Sequence, residues 1–152
     1  MQASAQWIAE AVSGRLVGND VPVTGPVVTD SREAQAGSLY VARRGESADG
    51  HAFVSGAVER GAVAVIVEHE VDAAVAQIVV EDSTEALGAL ARAHVTKLRS
   101  SGDLDVIAMT GSVGKTTTKD LLLQIMSEDG PTVAPKLSFN NEVGLPLTVL
   151  LA

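Results

Sequence analysis

The chain has 152 residues, 46% of them hydrophobic and only 3% aromatic, enough for one ordinary domain or a small domain with part of another, its core built from Val, Ala, Leu and Ile. With 19 acidic against 11 basic residues, a formal net charge of -8 and no Lys/Arg run, a broad nucleic-acid-binding surface is excluded and any anionic ligand must be held locally. The chain has no cysteine, no cationic leader and no apolar run of membrane length, which excludes disulfides, thiolate metal sites and membrane insertion and fits the cytoplasm.

Trp7, Ile8, Ala11 and Val12 repeat on one helical face over Ser4 to Val12, and Gly14 ends that short helix. Pro22, Gly25 and Pro26 punctuate a loop before a strand at Val27-Val28-Thr29, and Asp30-Ser31-Arg32-Glu33 is a polar break. Gly37 to Ala42 reads as the next strand. The polar segment Arg43 to His51, with Gly45, Asp49 and Gly50, is a loop feeding a helix over Ala52 to Arg60. Ala62 to Val67 is a continuous apolar run rich in β-branched residues and too short for a typical helix, and Gln77 to Val80 repeats the pattern at lower strength, so both are expected to be buried strands. Ser83 is the expected N-cap of a helix whose stripe of Leu87, Leu90, Ala91, His94, Val95 and Leu98 runs to about Arg99, with His94 a satisfied, partly buried residue. Ser100-Ser101-Gly102-Asp103 breaks that helix. A domain boundary is placed there, giving units 1–101 and 102–152. The second unit is expected to hold a strand at Asp105 to Met109, a helix at about Lys115 to Ser127, a strand at Thr132 to Ala134 and a helix opening near Gly144. The class is α/β: a small α/β domain followed by the start of a parallel-sheet domain.

Thr110-Gly111-Ser112-Val113-Gly114-Lys115-Thr116-Thr117 lies between the apolar run 105–109 and the stripe Leu121, Leu122, Ile125 and Met126, the setting of a phosphate loop. Gly111 and Gly114 let the backbone approach phosphate oxygens, and the amides at the helix start face the anion. Lys115 can reach the β- and γ-phosphates of ATP, and the Thr116 hydroxyl is placed for Mg2+. Met109 stands where the common G-x-x-x-x-G-K-[ST] pattern has its first glycine. The alternative is an ordinary strand-to-helix turn with a solvated Lys115.

The string T-G-S-V-G-K-T-T-T-K resembles the shortened phosphate loop of the Mur ligases, the ATP-dependent amide-forming enzymes of peptidoglycan precursor assembly, in which the same glycine is missing. D-S-R-E at 30–33, A-G-S-L-Y-V-A at 36–42 and G-E-S-A-D-G-H-A-F at 45–53 are similar to the N-terminal domain of that family. F-N-N-E-V-G-L-P-L-T-V-L-L at 139–151 looks like the member that joins D-alanyl-D-alanine to UDP-N-acetylmuramoyl-tripeptide. The resemblance implies a substrate domain at 1–101 that receives the UDP-sugar end, and the beginning of an ATPase domain at 102–152. It also implies a third domain with no counterpart here, so the chain alone is expected to be inactive, and a monomer.

On this resemblance Ser31 and Arg32 are candidates to contact the UDP-sugar end, Asp49 and His51 shape a substrate-facing loop, and Asn140 and Asn141 can hydrogen-bond substrate at the end of a strand. Each has a structural alternative. Arg32 can pair with a surface carboxylate and Asp30 can cap a turn; Gly50 can explain the 49–51 turn; the two asparagines can cap the helix near Gly144. His51, His69 and His94 are too scattered to argue for a metal site. Two other activities stay open: the neighbouring ligase that adds a diamino acid to the UDP-linked dipeptide, and a non-ligase phosphate-loop module.

Overall fold

The computed structural model describes residues 1–45, 48–102, 104–135 and 141–152. Chain order begins with β1 (Ala3–Ser4), α1 (Ala5–Ala11), β2 (Arg15–Val17), β3 (Pro22–Val23) and β4 (Val27–Val28). It continues with β5 (Ser38–Val41), α2 (Val54–Glu59), β6 (Ala62–Val67), β7 (Ala76–Val79) and α3 (Ser83–Ser100). One five-stranded sheet has the order β2-β7-β6-β5-β4, while β1 and β3 form a separate antiparallel pair. All neighbours in the large sheet run parallel except β2, which lies antiparallel to β7.

The sheet is covered on both faces, which is why its strands read as apolar runs rather than alternating ones. Leu39, Val41, Ala64, Ile66 and Ile78 face one core with Ile8 of α1 and Leu87 and Leu90 of α3. Tyr40, Ala42, Val65 and Val67 face the other with Val54 and Ala57 of α2. That division follows from the two-residue period of a strand.

Three features differ from the sequence expectation. The short strands β1, β2 and β3 form where a helix flank and a loop were expected, because each is held by a ladder partner distant in sequence, as Arg15 to Val17 is by Gln77 to Val79. Helix α3 is capped by Asp82 rather than Ser83: Asp82 Oδ1 accepts the Thr84 and Glu85 amides at 2.7 and 2.8 Å. Ser83 is buried, with its hydroxyl turned to Glu68. His94 is 5% exposed and, among the described residues, its Nε2 has no hydrogen-bond partner, so the expected satisfied histidine is not found. Burial, then the amino-terminal charge and Lys97, holds its imidazole below the ordinary value.

Beyond α3 the expected strands at Asp105 to Met109 and Thr132 to Ala134 are not formed. A strand exists through its ladder, and among the described residues no strand pairs with either segment. Val106 and Ile107 are accordingly 54% and 56% exposed. Helix α4 (Lys115–Asp129) does form, without a buried residue. The last helix, α5 (Gly144–Val149), returns to the first unit and packs on α3, and Leu150 enters the core of Ile8, Leu87 and Leu90.

Candidate functional site

The phosphate-loop segment Thr110 to Thr117 is exposed throughout. Gly114 is the N-cap of α4 with φ 82°, a left-handed conformation that glycine adopts without steric cost. Thr118 N–H is bonded to the Gly114 carbonyl at 2.9 Å, so the amides of Lys115, Thr116 and Thr117 lie in the first turn, where a helix offers no carbonyl partner. These amides, at the positive end of the helix dipole, form a cradle suited to an anion. Lys115 Nζ donates back to the Gly111 carbonyl, which folds its ammonium across the same loop. The donor set fits a nucleotide phosphate: amides, an ammonium, and the hydroxyls of Ser112, Thr116 and Thr117, with no carboxylate inside the loop.

A second polar region lies at one edge of the large sheet. Because β4, β5, β6 and β7 are parallel, their carboxyl ends share that edge, where ligands of open α/β sheets bind. After β4, Asp30 caps a 3-10 turn at Ser31–Glu33 and pairs with Arg32, whose Nε lies 2.9 Å from Oδ1 and Nη2 2.5 Å from Oδ2. Both structural alternatives for this tripeptide are therefore realised, while Arg32 stays largely open to solvent.

The Arg32 side chain and then its backbone amide hold the Asp30 carboxyl down at about 2, from an ordinary 3.8. A folded value below the unfolded one means that the pair contributes stability above pH 3.8 and loses it as pH falls toward 2. Arg32→Ala is expected to return the Asp30 titration most of the way to its ordinary range in carboxyl-detected NMR. An unchanged midpoint near 2 would show that the side-chain pair is not its cause.

After β5, the loop closes on itself through Gly50 N–H to the Arg43 carbonyl at 2.8 Å and Gly45 N–H to the Ala48 carbonyl at 2.9 Å. A Cβ at Gly50 would lie 2.7 Å from the Arg43 backbone, so the turn requires glycine there. Tyr40, its phenol pushed up to about 12 chiefly by burial, donates to the Gly50 carbonyl at 2.9 Å. His51 is buried with both ring nitrogens engaged. Its Nε2 accepts the Glu68 amide at 2.8 Å, which places the ring proton on Nδ1, donating to Asp49 Oδ1 at 2.6 Å. The ring also stacks on His69 with centroids 4.4 Å apart.

His51 is thus placed to shape the loop rather than to offer a free nitrogen, while Asp49, held below its ordinary value by the His51 hydrogen bonds, is the more accessible of the two. Asn141 Oδ1 accepts the Val143 and Gly144 amides at 3.3 and 2.7 Å and so caps the turn opening α5; Asn140 lies outside the described residues. The structure joins Asp30 to Arg32, Asp49 to His51 and Lys115 to Gly111. Among the described residues, no hydrogen bond or ion pair links the sheet edge to the phosphate loop.

Sequence reasoning passed over Arg43, Arg44, Glu68 and Thr84, which share this edge. Arg44 Nε lies 3.0 Å from Glu68 Oε2, and Arg43 Nε donates to Thr84 Oγ1 at 3.0 Å. The signal available was the Arg43-Arg44 pair directly after a buried strand.

A sheet edge of this kind followed by a phosphate-loop sequence at a helix start is an α/β arrangement suited to anionic ligands, and the chain is similar to the Mur ligase family. The family described as Mur ligase family, catalytic domain, matches residues 26–95. The UDP-N-acetylmuramoyl-tripeptide--D-alanyl-D-alanine ligase of Escherichia coli K12 is 35% identical over 143 residues, covering 94% of this chain and 30% of that protein. The Synechocystis protein of the same name is 39% identical over 127 residues, covering 82% and 27%. A crystal structure of MurF from Acinetobacter baumannii superposes with TM-score 0.86 at 37% identity, over 99% of this chain and 33% of that one. The MurF ligase of Thermotoga maritima in complex with ADP superposes with TM-score 0.70 at 34% identity, over 84% and 29%. The chain spans about a third of the length of these relatives.

Proposed function

We propose that this chain forms the substrate-receiving domain and the phosphate loop of an ATP-dependent ligase that joins D-alanyl-D-alanine to UDP-N-acetylmuramoyl-tripeptide. The observation that carries the reading is the turn at Gly114. It opens α4 with an exposed cradle of amides and Lys115, in a chain 35% identical to a ligase of that name.

In this reading the tripeptide carboxylate attacks the γ-phosphorus of ATP, giving an acyl phosphate and ADP. The amine of D-alanyl-D-alanine then attacks the acyl carbon and expels phosphate. Such transfer needs positioning and charge neutralisation rather than covalent help from the protein. The Gly111 to Thr117 amides hold the phosphates and Lys115 neutralises the β- and γ-oxygens. Thr116 is the residue that would hold Mg2+, which would supply further charge neutralisation at the phosphates. Ser31, Arg32 and Asp49 are the proposed contacts to the UDP-sugar end; His51 and Asn141 support the loop and helix around it. A cytoplasmic role in cell-wall assembly follows from the same reading.

The test is phosphate release by the full-length parent with Mg-ATP, UDP-N-acetylmuramoyl-tripeptide and D-alanyl-D-alanine. Release that requires both substrates is the expected result. Release with the UDP-linked dipeptide and a free diamino acid would move the assignment to the neighbouring ligase, and no release with either pair would leave a nucleotide-binding domain only.

A further inference from the structure

We propose that Arg44 is a diphosphate-binding residue of the sheet edge and that Glu68 is the residue that positions it. The proposal rests on the reading of this edge as the receiving surface for a UDP-linked substrate, and it names the groups that meet its charge.

Three arginines lie in the loops after β4 and β5. The Arg32 guanidinium is already paired with both oxygens of Asp30, and Arg43 turns its Nε to Thr84. Arg44 is held differently. Its Nε lies 3.0 Å from Glu68 Oε2 and 3.8 Å from Asp49 Oδ2, while 61% of the side chain is open to solvent. A guanidinium gripped at Nε is oriented as a rigid fork, the geometry that takes two phosphate oxygens at once.

Glu68 is itself immobilised. Its side chain is only 15% exposed, Oε1 accepts the Ser83 amide at 3.3 Å and the Ser83 hydroxyl at 3.0 Å, and its own N–H donates to His51 Nε2. The carboxylate therefore stands at the junction of β6, the start of α3 and the Arg43 to His51 loop. A brace fixed on three sides reduces the rotamer freedom that a long arginine would otherwise lose on binding.

The charge of Glu68 and its bracing of Arg44 act on an anionic ligand in opposite directions. As a charge, Glu68 repels an anion, and neutralising it would tighten binding by Coulomb's law alone. As a brace, its loss frees Arg44 and weakens binding. The donors from Ser83 already compensate much of the Glu68 charge, so the second effect dominates.

UDP is titrated calorimetrically into the 152-residue protein and its variants, with thermal unfolding recorded for each. Arg44→Ala is expected to weaken UDP binding about tenfold, and Glu68→Gln, which keeps the shape and an acceptor for Ser83, about threefold or more. The double variant is expected to bind no more weakly than Arg44→Ala, since one residue acts through the other. Arg44→Lys keeps the charge, loses the fork, and is expected to bind as weakly as Glu68→Gln.

Unchanged or tighter binding by Glu68→Gln, or a loss that persists beside Arg44→Ala, overturns the positioning role while leaving the edge a UDP site. Should the melting curve show Glu68→Gln unfolded, Arg44→Lys decides, and wild-type affinity in that variant overturns the proposal. No UDP binding by the wild-type protein at millimolar concentration overturns both the reading of this edge and the inference built on it.

Discussion

Replacing Lys115 by alanine in the full-length parent is expected to lower substrate-dependent phosphate release by about 100- to 1,000-fold, the usual effect of removing one preorganised charge-stabilising donor from a reacting centre. The ammonium is the only full positive charge in the Thr110 to Thr117 cradle, and its recorded partner is the Gly111 carbonyl. A phosphate oxygen is a stronger acceptor than that carbonyl, so the contact is one the ligand can displace. Stability should hardly change, since Lys115 is exposed and substitutions at such sites usually stay within about 0.5 kcal/mol. Steady-state phosphate release beside a thermal melt separates the two effects. Activity within a few-fold of wild type would remove Lys115 from the transfer step, and a collapsed melt would assign it to folding.

Leu150→Ala carries the largest expected loss of stability, about 2–5 kcal/mol, the range for truncating a buried leucine. At about 2–4 °C per kcal/mol for a chain of this size, the melting temperature should fall by roughly 5–15 °C. Leu150 is 2% exposed and lies in one core with Ile8, Leu87 and Leu90, although about fifty residues, mostly exposed among those described, separate it from α3. We propose on this ground that residues 143–150 pack as part of the first unit, so that the boundary at 102 divides the sequence but not the folded body. Leu121→Ala on α4, where the side chain is exposed, is the matched control and should melt like wild type. If Leu150→Ala also melts like wild type, α5 does not dock on α3 in solution.

The elements legible in the sequence were those whose pattern is local. Ala62 to Val67 announces a buried strand because six consecutive apolar, mostly β-branched residues suit a position covered on both faces. The stripe Leu87, Leu90, Ala91 and His94 announces α3 because helical spacing repeats without help from the rest of the chain. Elements that need a distant partner behaved otherwise. Arg15 to Val17 forms a strand against β7 with nothing in its own composition to signal it, whereas Asp105 to Met109 has a strand's composition and forms none without a ladder. Asp82 and Ser83 are both good capping residues by type. Glu68, fifteen positions upstream of Ser83, decided between them by taking the serine hydroxyl.

The same distinction separates the two halves of the candidate site. The phosphate loop is eight consecutive residues, so residue type and spacing alone determined where an anion cradle would form: α4 begins at Lys115 because Gly114 can adopt φ 82° and the helical stripe follows at once. The sheet edge could not be read that way. Arg44, Glu68 and Ser83 meet only because β5, β6 and β7 run parallel and deliver their carboxyl ends to one side, and His51 loses its free nitrogens only because Glu68 and Asp49 come to it. Sequence determines what a continuous segment can do, since backbone conformation and helix polarity are local. Which separated polar groups satisfy one another, and which stay open to a ligand, is decided by tertiary packing, because each buried group must find its partner wherever the strands bring one within reach.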